Sequence, residues 1–247
     1  MSIKTNAEFE KLRGIGGIVA RALKAMAVCV CPGITTGEIN EIGARVLLEY
    51  GARSAPPHIY GFPGEVCISV NDEAMHGIPG ARSIRAGDLV KLDLVAEKEG
   101  FYADAAVSVN VPPASACGRD LAQCAERAFS QALSAARAGN RAYEIGRAVE
   151  REVLRSGFHV IRELCGHGVG RTIHEQPLVP NFPDKTARTR LTEGLVITIE
   201  PVIAAGNGRA RLQADGWTFR TEDGSLAAHY EHTVVITRGA PVLLTAA

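Results

Sequence analysis

Two histidines stand seven residues apart in Gly166-His167-Gly168-Val169-Gly170-Arg171-Thr172-Ile173-His174, among three glycines at alternate positions. Glycines so spaced let a backbone bend or pass close to a ligand, and three in five residues disfavour a helix. The segment therefore reads as extended or looped, delivering two imidazoles toward one cavity. The plainer reading is a glycine-rich turn with two satisfied histidines. Four carboxylates shift the balance. Asp93, Asp104, Glu200 and Glu231 all fall on strand-like runs. Burying four like charges unpaired is prohibitively costly, whereas two divalent cations neutralise them. Carboxylates able to bridge suit two metals ~3.5–4 Å apart with an activated water between them. Four oxygen donors to one imidazole favour Mn²⁺, Fe²⁺ or Co²⁺ over a thiolate-rich structural zinc site.

These groups need elements to hold them. Residues 89–96 and 101–111 are rich in β-branched and leucine side chains and meet across the turn-like Glu97-Lys98-Glu99-Gly100. A hairpin centred between Lys98 and Glu99 sets Asp93 directly opposite Asp104, with Cβ atoms ~5 Å apart on one face. Such a pair asks for a cation; the alternative is a solvated acidic pair on an exposed face. Upstream, Thr5 with Glu8 fits a capping box, and Phe9, Leu12, Ile15, Ile18, Val19, Leu23 and Met26 recur at helical spacing until Pro32-Gly33. A second box, Thr35 to Glu38, opens a helix ending at Gly51. Residues 54–64 read as irregular, 66–70 as a strand, and Met75-His76-Gly77-Ile78-Pro79-Gly80 as a loop. Helices follow over 119–138 and 142–156, and 230–236 supplies a last strand whose Glu231 answers Asp104.

The second half echoes the first. Shifted by 106, Gly33, Glu38, Ile39, Leu48 and Gly51 fall on Gly139, Glu144, Ile145, Leu154 and Gly157. With one residue of slip, Gly87 and Asp93 correspond to Gly194 and Glu200. An internal duplication accounts for this, with chance matches as the alternative. It predicts a pseudo-two-fold α/β domain with paired carboxylates converging at its axis.

Composition narrows the class. Equal numbers of basic and acidic residues, 27 each, suggest neither a nucleic-acid nor an anionic-membrane partner. No apolar run approaches the ~20 residues of a membrane span, and the polar, acidic opening is unlike a secretory signal, so the chain is expected in the cytoplasm. Six cysteines without a C-x-x-C pair suit reduced thiols, most of them small buried hydrophobes.

Together the motifs resemble a known family, the type I methionine aminopeptidases of the pita-bread metallopeptidase fold. The matching segments are Met75-His76-Gly77-Ile78-Pro79, Lys91-Leu92-Asp93 with Asp104 eleven residues on, Gly166 to Gly170 through His174-Glu175, Ile197-Thr198-Ile199-Glu200-Pro201, Asp215-Gly216-Trp217 and Tyr230-Glu231-His232-Thr233. The resemblance runs from about Ile3 to the last strand and implies one catalytic domain over 1–247, with halves of about 1–112 and 113–247 and an antiparallel-rich sheet between outer helices. It implies two divalent ions (Co, Mn, Fe or Zn): Asp93 on one, His167 and Glu200 on the other, Asp104 and Glu231 bridging. The family removes the initiator methionine from peptides and nascent chains whose second residue is small.

The resemblance also gives His174 the scissile carbonyl oxygen and His76 the amide nitrogen, where the residues alone would favour a structural His76 in a Gly-Pro loop. It places Ile59, Phe62, Cys67, His76, Ile173 and Trp217 around the methionine side chain. Proline dipeptidases and creatine-hydrolysing relatives carry an extra N-terminal domain, and type II enzymes carry a helical insertion, whereas His174 and Glu200 are only 26 positions apart here. A monomer is expected, near the ribosome at most without a dedicated anchor. The other readings are a pita-bread protein that binds peptides or partners without catalysis, and an aminopeptidase of altered first-residue specificity. Departures from the family pattern are Pro56, Ile59 and Phe62 in the pocket segment, Ala105-Ala106 where Thr-Ser is usual, and His229 where glutamine is usual. They fit a divergent paralogue.

Overall fold

The structure, a computed structural model, describes residues 1–246. Thr5 opens helix α1 (Asn6–Cys29) by accepting the Glu8 N–H, but the Glu8 carboxylate turns to the Lys4 N–H, so only half of the expected capping box forms. At α2 (Thr36–Glu49) the Thr35–Glu38 box is complete in both directions. The segment expected to be irregular contains a single helical turn, α3 (Pro56–Tyr60), because proline's fixed φ and missing N–H suit the first helical positions. Helix α4 (Ala116–Ala135) begins earlier than its apolar spacing indicated, since Ser115 caps it by accepting the Gly118 N–H. Helix α5 (Ala142–Arg155) follows.

Seven strands run in the order Arg53–Ser54, Leu89–Lys98, Phe101–Asn110, Glu231–Val235, Val196–Ile199, Cys165–Gly168 and Glu175–Pro180. Cys67–Val70 adds to Leu89–Lys98 and Val242–Leu243 to Glu231–Val235, making a nine-stranded sheet that is antiparallel at each pairing. Helices α1 and α2 pack together, with α1 laid over the Leu89–Asn110 hairpin, and α4 packs with α5 in the second half. Two main apolar cores form: Leu12, Ile15, Met26, Leu92 and Leu94 belong to one, which Val169, Val196, Val235 and Leu244 of the second half complete, and Leu121, Phe129, Val149, Ile197 and Ile199 to the other.

The expected duplication is visible in the backbone. Gly33 and Gly139 both have φ 100, Gly51 and Gly157 have 65 and 79, and Gly87 and Gly194 have 89 and 81. These are left-handed turns that glycine enters without a Cβ clash, so the echoed glycines mark equivalent helix and strand boundaries.

The hairpin register differs from expectation. Lys98 pairs with Phe101, Asp93 with Ala106 and Val95 with Asp104, so the turn is Glu99-Gly100. Both turn residues have positive φ, 53 and 77, as a two-residue primed turn requires. A slip of two residues keeps every side chain on its face. Asp93 and Asp104 are therefore diagonal neighbours on one face, and Glu231 lies opposite Ala106 instead of Asp104. Cys67, Asp93, Ala106 and Glu231 form one row across four strands, with only a methyl group between the two acids. The cysteines also depart from expectation: Cys67 and Cys124 are buried, Cys29 and Cys165 partly so, Cys31 and Cys117 exposed.

Candidate active site

The row of Asp93, Ala106 and Glu231 ends beneath a cavity of about 570 Å³. Asp93, Asp104, His167, Glu200 and Glu231 all line it, as do His76 and His174. The four carboxylates and His167 are at most 9% exposed. Glu200 arrives at the end of Val196–Ile199, and His167 from the neighbouring Cys165–Gly168 strand. That strand needs its glycines: a Cβ on Gly168 would lie 2.3 Å from the Gln176 carbonyl oxygen.

Hydrogen bonds aim the donors. The His167 N–H donates to Thr198 Oγ1 (2.9 Å), whose hydroxyl donates to Glu200 Oε1 (2.7 Å). His167 Nδ1 donates to the Gly168 carbonyl at 2.9 Å, which leaves the Nε2 lone pair facing Glu200 Oε1 at 3.5 Å and Asp104 Oδ2 at 3.7 Å. The Thr233 hydroxyl donates to the Asp104 carbonyl and accepts the Asp104 N–H, both at 2.8 Å. Among the described residues, Asp104 Oδ1 and Glu231 Oε1 have no hydrogen-bond partner despite burial. Orphaned carboxylate oxygens facing a tautomer-locked imidazole fit a divalent cation, and Asp104, His167 and Glu231 offer donor atoms within 4.8 Å of one another.

Electrostatics point the same way. Burial raises Asp93 to about 7. Burial, reinforced by the Asp93 charge and opposed by the Thr198 hydroxyl, raises Glu200 to about 8. Burial and the neighbouring acids push Asp104 and Glu231 well above the carboxylate range. The Cys67 thiol is pushed up by burial and by Asp93, Asp104 and Glu231, so it stays a neutral wall group. Burial lowers His167 to about 3 and His76 to about 4, which keeps both imidazoles neutral.

The walls are mainly apolar. Of the expected pocket residues, Phe62, Cys67, Ile173 and Trp217 line the cavity, and the rings of Phe62 and Trp217 meet edge to face at 5.2 Å. Ile59 does not. Both it and Tyr60 are exposed, but successive residues of a helical turn point ~100° apart, and α3 sets Tyr60 rather than Ile59 against the cavity. The Tyr60 hydroxyl, kept protonated by burial, lies 2.7 Å from His174 Nδ1, and the rings of His167 and His174 are 4.2 Å apart. His76 stands at the cavity edge with φ 57, a left-handed conformation rare outside glycine. Sequence reasoning did not single out Tyr60, Thr198 or Thr233. Thr198 was open to discovery, since it precedes Glu200 by two on a strand and so shares its face.

Residues 10–238 match the model of metallopeptidase family M24. Methionine aminopeptidase 2 of Bacillus subtilis is 44% identical over 247 residues, covering 99% of each chain. The chain belongs to the methionine aminopeptidases of metallopeptidase family M24. A methionine aminopeptidase crystal structure from Thermotoga maritima superposes with a TM-score of 0.96 at 33% identity over all of both chains, which establishes the pita-bread fold. A prolidase from Pyrococcus furiosus, 25% identical, shares the fold at a TM-score of 0.79, but this methionine aminopeptidase chain spans only 65% of it. Membership in this metallopeptidase family implies divalent metal ions. Among the described residues, no helix is long and apolar enough to cross a membrane.

Proposed function

We propose that the chain is a metal-dependent aminopeptidase that removes the N-terminal methionine from peptides and nascent chains whose second residue is small. The observation that carries this is the convergence of four buried carboxylates and the His167 lone pair on the floor of an apolar cavity. We assign Asp93, Asp104, His167, Glu200 and Glu231 to two divalent cations, with Asp104 and Glu231 bridging, because burying this charge otherwise is prohibitive. When bound, the ions would supply Lewis acidity and an activated water.

The remaining steps fall to side chains. With the Tyr60 hydroxyl donating to Nδ1, His174 carries its proton on Nε2 and donates it in a hydrogen bond to the scissile carbonyl oxygen as negative charge develops there. His76, neutral and at the cavity edge, assists the departing amide nitrogen. Phe62, Cys67, Ile173 and Trp217 surround an unbranched thioether, whose burial contributes roughly 1.5–3 kcal/mol.

The test is hydrolysis of X-Ala-Ser peptides, with X as Met, Leu, norleucine, Ala and Pro, in added Co²⁺ or Mn²⁺. We expect kcat/KM to be highest for Met and to collapse in Asp104→Asn. A wild-type rate no higher than that variant's would leave a binding protein, and a preference for Ala or Pro would replace methionine as the substrate.

A further inference from the structure

His229 ends the short Ala227–His229 strand, where the chain leaves a three-stranded sheet and enters the central one at Glu231. Its backbone is fixed on one side by Val202 and on the other by Ser108, whose hydroxyl donates to the His229 carbonyl (2.8 Å) and accepts its N–H (3.0 Å). The side chain is 1% exposed, and among the described residues neither Nδ1 nor Nε2 has a hydrogen-bond partner. A buried imidazole with both nitrogens unsatisfied is costly, and a bound ion is one of the few things that offset that cost.

Its surroundings name the ligand. His229 Nε2 lies 3.5 Å from Glu231 Oε2, too long for a hydrogen bond. Two donors that each bind one ion at ~2.0–2.2 Å stand roughly 3–4 Å apart. The His167 Nε2 to Glu200 Oε1 distance is the same 3.5 Å. Glu200, His229 and Glu231 each offer one donor atom, all within 4.8 Å of one another, and all three residues are buried.

We propose that His229 is a sixth protein donor to the metal centre, its Nε2 sharing an ion with Glu231 and Glu200. This rests on the two-metal reading given above. One ion then has a nitrogen-richer set than four carboxylates and His167 alone provide. Imidazole favours zinc, cobalt and iron over manganese, so His229 biases the centre toward those metals.

X-ray absorption at the zinc edge tests this on wild-type protein loaded with two equivalents of Zn²⁺, alongside His229→Gln. We expect at least two imidazoles per zinc pair in the wild type and one fewer in the variant. Competition titrations should show the Zn²⁺ to Mn²⁺ affinity ratio falling tenfold or more in His229→Gln. One imidazole per zinc pair in the wild type overturns the proposal without any variant. An unchanged imidazole count and affinity ratio in a folded variant overturn it equally, as does an equal loss for both metals, which would mark His229 as merely supporting Glu231. Failure of the wild type to take up two ions would instead remove the two-metal reading, and this proposal with it.

Discussion

Loading the metal centre should expel protons. In the metal-free protein Asp93 titrates at about 7 and Glu200 at about 8, and burial and the neighbouring acids hold Asp104 and Glu231 well above the ordinary carboxylate range. At pH 6.5 a carboxyl with a pKa near 8 is ~97% protonated and one near 7 ~75% protonated. The four share protons, so we expect about two or three to leave as the ion pair binds, instead of none for ordinary carboxylates. Because protons compete with metal, the affinity should rise with pH. Two displaced protons correspond to ~10²-fold, or ~3 kcal/mol, per pH unit below 7. The neighbouring groups do not blur this: His167 and His229 are held neutral by burial, at about 3, and the Cys67 thiol is pushed up by burial. The stability sign agrees. These raised folded-state values stabilise the metal-free protein fully below the unfolded value near 4, and that contribution is lost as pH rises through 7 to 8. Calorimetric Mn²⁺ titrations in buffers of different ionisation enthalpy count the protons directly. Zero proton release with a pH-independent affinity between 5.5 and 7 would refute the buried cluster.

Glu231→Gln should lose at least one of two bound ions in Mn²⁺ titration, because it removes a charge assigned to both. His174→Ala should lower kcat by ~10²-fold with metal content intact, the usual cost of one oxyanion donor. Tyr60→Phe should cost less, about tenfold in kcat with KM nearly unchanged, since it frees the His174 tautomer without removing the donor; metal analysis alongside kinetics checks both. Gly168→Ala forces a methyl group to 2.3 Å from the Gln176 carbonyl, so a drop in unfolding free energy of ~1–3 kcal/mol is expected by urea denaturation, with activity falling as His167 moves.

Why some of this was legible in the sequence and some was not has physical reasons. The echoed glycines announced the duplicated fold because a left-handed φ leaves few alternatives to glycine. The four acids drew attention because buried charge admits few alternatives to metal, and all four do line one cavity. The hairpin register was misjudged by two residues, since Glu99 at φ 53 is an unusual occupant of a primed turn, but the period of a strand kept both aspartates on the right face. Ile59 was placed at the pocket by resemblance, in a segment read as irregular, and the turn of α3 sets Tyr60 at the cavity instead. The Tyr60–His174 contact joins residues 114 positions apart, a pairing that no local pattern encodes.

The position of Glu231–Val235 sets when the enzyme comes alive. This strand lies at the middle of the sheet, with Phe101–Asn110 on one side and Val196–Ile199 on the other, and it meets the first through only Glu231–Ala106 and His232–Ala105. During synthesis the first half, with its own helices and most of one core, can gather while the rest is still being made. Phe101–Asn110, which carries Asp104, is an unfinished edge until residues 231–235 have left the ribosome. On the site assignment proposed above, the centre therefore stays incomplete until that strand docks.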